Sequence, residues 1–251
     1  MGERTSIEWT TSTWNPWHGC RKVSLGCKNC YMFRDKKRYG QDPVQVVRSK
    51  TAFTAPLKWK IPSLIFTCSW SDWFISEADA WREEAWDIIR YTPHHIYQIL
   101  TKRPERICDH LPHDWGRGWE NVWLGVTIES QEYINRLDLI CDIPSRTRFI
   151  SAEPLLGTLN FPRMAEIDWV ITGGESGPKA RQMKLEWVRS IRDQCIKEGV
   201  PFFHKQHGGF RKVDGVWGGR SLDGRTWSEM PFRYRNMIDN GKASTVNRIV
   251  R

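Results

Sequence analysis

The sequence predicts an α/β fold, a partial (β/α) barrel of parallel strands with outer helices. Short apolar runs recur at fairly even intervals, and segments with helical periodicity lie between several of them. Strands that alternate with helices are typical of a parallel sheet covered by helices, and this number of units suits an open or closed barrel. A chain of 251 residues is long enough for one such domain with a single core.

The individual elements follow from these two periodicities. We predict strands at 7–9, 64–68, 95–100, 122–128, 148–152, 168–172 and 201–204, and helices at 77–90, 131–140 and 185–198. The barrel then covers residues 1–207, with a cysteine loop at 14–31. Residues 208–251 form a C-terminal extension, rich in glycine and arginine, whose turns and small hairpin pack on the barrel.

Positive charge is in excess, with 38 Lys and Arg against 29 Asp and Glu and a formal net charge of +9. This balance favours contact with polyanions, so a nucleic acid or nucleotide substrate is expected. A solvated basic face is the alternative interpretation. The candidate cations lie around the cysteine loop and in the tail, at Arg21, Lys22, Lys28, Arg34, Lys36, Lys37, Arg38, Arg211, Lys212, Arg220 and Arg225.

Two further features of composition narrow the setting. Most of the 15 tryptophans flank apolar runs, where packing in the core is their expected use. No apolar run is long enough to span a membrane, and the N-terminal segment lacks the basic start and apolar stretch of a signal peptide. We therefore expect a cytoplasmic protein that makes no membrane contact.

Three cysteines, Cys20, Cys27 and Cys30, lie in one loop. Cys27 and Cys30 have the narrow spacing that lets two sulfurs bind one metal centre, and Gly19 and Gly26 allow tight turns beside the cysteines. Three thiolates would leave one iron of a [4Fe-4S] cluster without a protein ligand, and S-adenosylmethionine (SAM) can chelate such an open site.

Two other uses of the loop stay open. A structural zinc ion would need a fourth ligand, for which His18 is the candidate. A redox CxxC pair is the other option, although it needs no third cysteine. The remaining cysteines are expected to be buried thiols, at Cys68, Cys108, Cys141 and Cys195.

Polar residues follow the predicted strands at the point where each strand ends. Because all strands of a parallel barrel end on one face, these groups should converge at one mouth, which is the predicted active site. Any single member could instead be a strand-end hydrogen bond or a helix cap. The set comprises Ser69, Ser71, Asp72, Thr101, Lys102, Arg103, Thr127, Glu129, Ser151, Glu153, Gly173, Gly174, Glu175 and Ser176.

Several runs together resemble the phage-associated three-cysteine-motif family of unknown function, which is related to radical SAM proteins. They are TWNPWHGCRKVSLGCKNCYM, FTCSWSDWF, LTKRP, GVTIES, FISAEPLLG, VITGGESG and LDGRTW, and they extend over nearly the whole chain. The resemblance implies a barrel of the radical SAM type, with three cysteines after the first strand. The chain departs from the commonest CxxxCxxC spacing by a longer gap between Cys20 and Cys27.

The resemblance also implies roles for the strand-end residues. Cys20, Cys27 and Cys30 would hold the [4Fe-4S] cluster. SAM would be bound by Tyr31, Ser69, Ser71, Asp72, Thr127, Glu129, Ser151, Glu153, Gly173, Gly174 and Glu175. Substrate contacts would come from Lys102, Arg103, His204, Lys205 and His207.

The expected function is therefore a radical SAM enzyme that generates a 5'-deoxyadenosyl radical and modifies a nucleic acid or nucleotide-derived substrate. Such an enzyme also needs an electron donor protein as a partner. The alternative function is a non-catalytic zinc or iron-sulfur protein that binds nucleic acid, in which the three cysteines and His18 only fold the loop.

Overall fold

The computed structural model describes residues 4–232 and 234. The strands in these residues are β1 (Ser12–Trp14), β2 (Trp17–His18), β3 (Val47–Arg48), β4 (Leu64–Thr67), β5 (Ile96–Thr101), β6 (Val122–Thr127), β7 (Thr147–Ala152), β8 (Trp169–Gly173), β9 (Phe202–Gln206), β10 (Lys212–Val213) and β11 (Val216–Trp217). The α-helices are α1 (Tyr31–Arg38), α2 (Asp79–Tyr91), α3 (Asn135–Cys141) and α4 (Leu185–Glu198).

Parallel strands form the main sheet, in the order β1, β4, β5, β6, β7, β8, β9. The sheet curls into a half barrel, as the partial barrel predicted from the sequence requires. The alternation of strands and helices is confirmed, and α4 has the predicted bounds. Every strand therefore ends on the same rim, where the predicted polar residues stand.

The predicted first strand at 7–9 is wrong, because these residues form a turn and the strand is β1. Thr10 and Thr11 fix its start, since their hydroxyls donate to the carbonyl oxygen of Leu64 at 2.9 and 2.8 Å. β1 is short and begins with Ser12 and Thr13, so it lacks the apolar pattern that identifies a buried strand.

Tryptophans build much of the core, as their positions beside apolar runs predict. Between the sheet and the helices, the ring centroids of Trp14 and Trp73 are 5.8 Å apart, and those of Trp73 and Trp86 are 5.0 Å apart. All three side chains are fully buried. α2 contributes Trp86 and Ile89 to this layer, which fixes the helix against the outer face of the sheet.

A second aromatic layer fills the lower half of the concave face. The Trp169 ring packs against Trp123, Phe149 and Phe203, with centroid distances of 5.9, 5.9 and 6.0 Å. Trp9 joins the layer from the N-terminal segment at 6.2 Å from Trp169. The base of the half barrel is therefore filled, and a cavity opens toward the rim where the strands end.

The segment after β9 follows the sheet and then returns to its base. β10 and β11 pair as the small antiparallel hairpin expected in this tail, and Met230 and Tyr234 pack into the aromatic layer. The rest of the predicted C-terminal extension, 233 and 235–251, lies outside the described residues. Among the residues that are described, no helix combines the length and apolar character needed to cross a bilayer.

We expect the aromatic layer to depend on one glycine in β6. A Cβ atom on Gly125 would overlap the ring of Phe149, so Gly125→Ala should lower the free energy of unfolding by about 1–3 kcal/mol in urea titrations. Gly157→Ala is the matched control, because nothing lies within 4 Å of its added Cβ atom. Equal stabilities for the two variants would contradict this packing, and Phe149→Leu should partly restore Gly125→Ala.

Candidate functional site

A cavity of about 560 Å³ opens at the rim where the strands of the half barrel end. Cys20, Cys27 and Cys30 line it together, while Phe66 and Leu100 form part of its apolar floor. The structure brings to this cavity most of the residues predicted to bind cofactor or substrate, which are Tyr31, Ser69, Ser71, Asp72, Lys102, Arg103, Thr127, Ser151, Glu153, Gly174, Glu175 and Lys205.

Four other predicted residues do not line the cavity. Glu129 is completely buried beside the cysteine loop, and Gly173 lies behind the Glu153 side chain. His204 lies within β9 and His207 follows its end, and the two side chains contact each other. These four residues serve the frame around the cavity rather than its surface.

The two histidines form a chain whose hydrogen bonds fix their tautomers. His207 Nε2 donates to the Ser221 carbonyl oxygen at 2.9 Å, so its Nδ1 accepts from His204 Nε2 at 3.1 Å. His204 Nδ1 then accepts from the Thr172 hydroxyl at 2.9 Å. Burial, with His207 and Arg220 nearby, lowers the pKa of His204 to about 3. His204 is therefore neutral, and it links β8 to the C-terminal segment.

Glu129 holds the cysteine loop from the end of β6. One carboxylate oxygen accepts from the backbone N–H of Gly26 at 3.2 Å and from the Ser24 hydroxyl, and the other accepts from Arg136 at 2.9 Å. Ser24 in turn lies 3.6 Å from the sulfur of Cys27. Glu129, one of the residues predicted to bind SAM, thus has its carboxylate on the cysteine loop and not on the cavity wall.

Glu175 holds the same loop from the end of β8. Its carboxylate accepts from Asn29 at 2.8 Å and from Arg181 at 2.6 Å, and Arg181 also donates to the Leu25 carbonyl oxygen at 3.0 Å. Although burial alone would raise it, the pKa of Glu175 is lowered by these hydrogen bonds from Arg181 and Asn29. Glu175 therefore stays ionised and holds the loop through its hydrogen bond from Asn29.

The opposite side of the loop is held from the ends of β4 and β5. Arg103 pairs with Asp72 at 3.0 Å, donates to the Arg21 carbonyl oxygen at 2.9 Å and lies 4.0 Å from the sulfur of Cys20. The Ser71 hydroxyl donates to the Gly19 carbonyl oxygen at 2.6 Å. The residues that precede and follow Cys20 are thus both fixed to the barrel.

Tyr31 extends this side of the frame. It follows Cys30 directly, lines the cavity and donates its hydroxyl to the Ser69 carbonyl oxygen at 2.5 Å. The third cysteine is therefore fixed to the rim by the residue beside it.

Burial raises the pKa of two of the loop thiols, those of Cys20 and Cys30. Burial raises the pKa of Cys20 to about 12, and the charges of Asp72, Cys27 and Cys30 act in the same direction as burial while Arg103 opposes them. Burial also raises the pKa of Cys30, against the backbone N–H of Met32 and the charge of Lys102. Cys20 therefore keeps its proton at neutral pH.

The donor set suits a group held by soft ligands, since three thiols of one loop face one cavity. A fourth thiol, that of Cys68, also lines the cavity, and its backbone adopts the left-handed conformation with φ of 60°. His18, the predicted fourth zinc ligand, is not part of the cavity wall. In the described part of the chain, no three ligating side chains converge closely enough to bind a single metal ion.

The expectation of four buried, incidental thiols is only partly met. Cys141 and Cys195 are buried away from the cavity, but Cys108 is exposed. Cys68 is buried as predicted. Its place in the cavity wall was not predicted from the sequence. Its position at the end of a predicted strand was the signal that could have placed it there. Arg181 was also missed, because nothing in its neighbourhood marks a strand end.

Several polar side chains remain available on the cavity wall. Thr127 and Ser151 lie at the ends of β6 and β7, and Lys102 approaches Cys30 closely enough to affect its pKa. Glu153, which follows β7, forms an ion pair with Lys205 of β9. This wall offers hydroxyls and charges of both signs, which suits a polar ligand with an amino and a carboxylate group.

Fold and site together define a mixed α/β half-barrel protein with a cysteine-lined cavity at the carboxyl ends of its strands. Residues 4–231 match the family described as "Protein of unknown function (DUF5131)", and the chain belongs to this family. Comparison with curated proteins gave no significant match, and comparison with solved structures gave none either.

We expect Glu129→Gln to release the cysteine loop. The change leaves the buried Arg136 without its carboxylate, so the free energy of unfolding should fall by about 3 kcal/mol. Hydrogen exchange at residues 20–30 should accelerate, because the amide cannot match the carboxylate as an acceptor for both Gly26 and Ser24. Glu132→Gln, an exposed neighbour, is the control. Unchanged exchange in the loop of Glu129→Gln would refute the positioning role.

Proposed function

We propose that this protein is a radical SAM enzyme whose three loop cysteines hold a [4Fe-4S] cluster. The observation that carries the proposal is the meeting of Cys20, Cys27 and Cys30 with polar strand-end residues in one cavity, at the mouth of a curled parallel sheet. Three thiolates leave one iron of such a cluster without a protein ligand. The chelating amino and carboxylate groups of SAM suit that position.

When bound and reduced, the cluster would supply the electron that cleaves SAM into methionine and a 5'-deoxyadenosyl radical. The chain itself binds and orients the reactants. In this proposal Lys102, whose charge acts on Cys30, would pair with the carboxylate of SAM, and the hydroxyls of Thr127 and Ser151 would bind its ribose. The apolar floor, with Phe66, would keep water away from the reactive carbon.

The loop contacts sharpen this assignment of roles. Glu129 and Glu175 satisfy their carboxylates on the cysteine loop, so in this proposal they position the cluster ligands rather than bind SAM. Ser71 and Arg103 act in the same way from the other side. SAM then contacts the wall formed by Thr127, Ser151, Glu153, Lys102 and Lys205.

The proposed substrate is a nucleic acid or a compound derived from a nucleotide. Support comes from the net charge of +9 and from cations around the cavity mouth. Lys36, one of the predicted surface cations, is only 2 % exposed, so it is removed from the set. An electron donor protein is a required partner of this chemistry.

A second candidate function is a non-catalytic metal protein that binds nucleic acid. The observation that favours it is Cys68, which could complete a set of four thiolates with the three loop cysteines. Four thiolates close a structural site and leave no open position. The two functions therefore differ in whether Cys68 is needed to retain metal.

We expect single Ala substitutions of Cys20, Cys27 or Cys30 each to deplete iron and sulfide after anaerobic reconstitution, because each thiolate supplies one of three protein bonds. Cys68→Ala should retain both, as should Cys141→Ala, which alters a buried thiol far from the cavity. Metal analysis of these five variants and of the triple loop variant measures this. Full iron in the triple loop variant would refute the ligand assignment, and loss of metal in Cys68→Ala as well as in the single loop variants would favour the four-thiolate site.

We also expect the reconstituted, dithionite-reduced protein to convert SAM slowly to 5'-deoxyadenosine and methionine without its own substrate, since the open iron site needs only SAM and an electron. Chromatography of the products measures the conversion. Lys102→Ala should raise the SAM concentration needed for half-maximal cleavage, whereas Lys58→Ala, at the opposite end of the sheet, should not. A cluster-loaded protein that forms no 5'-deoxyadenosine would support the binding protein instead.

A further inference from the structure

The hairpin formed by β10 and β11 stands on the rim of the cavity. Gly209 donates to the Glu175 carbonyl oxygen at 2.7 Å and accepts from the Gly177 N–H at 2.9 Å. Glu175 and the following Ser176 line the cavity, so the base of the hairpin is fixed directly to the cavity wall. Anything held by the hairpin therefore lies beside the mouth.

Gly174 explains why the hairpin can approach so closely. A Cβ atom on this residue would overlap the carbonyl oxygen of His207, and its own N–H donates to the Gln206 carbonyl oxygen at 2.9 Å. The glycine pair predicted as a SAM contact thus includes a residue that lets two backbones meet.

The hairpin itself is built for contact with something else. Phe210 is 71 % exposed, and Lys212 and Val213 are exposed on a two-stranded ribbon that packs little of its surface on the barrel. A ribbon of two strands gains little stability by itself, so exposed aromatic side chains on it are not explained by folding. Trp217, on β11, is half-exposed on the same ribbon.

The cations of the hairpin lie against its aromatic rings. Arg211 lies over the Phe210 ring at 5.4 Å and Lys212 lies over the Trp217 ring at 5.3 Å, and within the described residues neither cation pairs with a carboxylate. Some exposed arginines elsewhere are neutralised, as Arg189 is by Asp223 at 2.8 Å. The hairpin therefore presents aromatic faces and uncompensated positive charge together.

Positive charge continues from the hairpin toward the cavity. A Cβ atom on Gly177 would lie 2.6 Å from Nη1 of Arg34, so this guanidinium of α1 lies at the same rim as the base of the hairpin. Its Nε also pairs with Asp35 at 3.1 Å, which offsets part of its charge. Lys28 lies exposed in the cysteine loop. A chain with negative charge at regular intervals could follow these cations from the hairpin to the mouth.

We propose that the hairpin at 210–217 is a docking arm for single-stranded nucleic acid, with bases stacked on Phe210 and Trp217 and phosphates bound by Arg211 and Lys212. Aromatic faces beside cations suit unpaired bases on a phosphate backbone, whereas a duplex keeps its bases stacked inside. Recognition of this bound strand as the substrate rests on the function proposed above. The arm would deliver one nucleotide of the strand to the cavity.

The test is binding of the full-length, reconstituted protein to a fluorescent thymidine oligonucleotide, measured by anisotropy, with a uridine oligonucleotide as the RNA arm. Phe210→Ala and Trp217→Ala should each weaken binding on the order of tenfold. Tyr91→Ala is the matched control, because Tyr91 is 72 % exposed at the end of α2, away from the rim. A perfect duplex should compete poorly with the single strand.

The charge variant tests the other half of the proposal. Arg211→Ala/Lys212→Ala should weaken binding at low salt and reduce the slope of log affinity against log salt by about 1.4, for two lost phosphate contacts. Lys58→Ala/Lys60→Ala removes equal charge at the opposite end of the sheet and should leave the slope unchanged. All these positions are exposed or half-exposed, so circular dichroism should show folded protein throughout.

Cleavage of SAM by the same variants separates this inference from the proposed function. Hairpin variants with normal cleavage and weakened binding support both proposals. The docking arm is overturned if the hairpin variants bind the oligonucleotide as tightly as the wild type does, or if no oligonucleotide binds at low salt. Either result leaves the proposed enzymatic function standing. Hairpin-dependent binding without any cleavage supports the arm and overturns the enzyme. A dimer in solution that Phe210→Ala dissociates, with unchanged oligonucleotide binding, would reassign the hairpin to self-association.

Discussion

The cysteine loop is held by two buried carboxylates, which follow the ends of β6 and β8 in the same sheet. Glu129 accepts hydrogen bonds from the loop at Gly26 and Ser24, and Glu175 accepts from Asn29. Each carboxylate also pairs with an arginine, so neither negative charge is buried alone. The sheet thus sets the direction in which the three sulfurs face. It does so through the Glu129 and Glu175 carboxylates, because separating either buried carboxylate from its arginine would cost free energy.

These contacts fix the position of a loop whose backbone is irregular. A loop that is only tethered at its ends would place its thiols with poor precision, whereas here the contacts come from β4, β5, β6 and β8. Rigid strands therefore position side chains that loops alone would leave variable. The aromatic layer below, with Trp169 at its centre, keeps those strands at a fixed curvature.

Most of the fold could be predicted from the sequence, because β5 to β9 are apolar and alternate with helices of clear periodicity. β1 could not, since Ser12 and Thr13 hide it among polar residues. The mouth was also predictable, as parallel strands must end on one rim. What each rim residue does was not, because the sequence places Glu129 at a strand end without showing whether its carboxylate faces the cavity or the loop. Long-range partners such as Arg181 carry no local pattern at all.

In the function proposed above, three thiolates leave one iron of the cluster open to SAM at the mouth of this half barrel. Electron paramagnetic resonance of the reconstituted, reduced protein before and after addition of SAM tests this, because a ligand that binds to iron changes the g-values of the cluster. We expect a [4Fe-4S] signal that shifts when SAM is added, and that shifts in Cys68→Ala as well. A signal that SAM leaves unchanged, or a reconstituted protein that holds zinc and gives no signal, would contradict it.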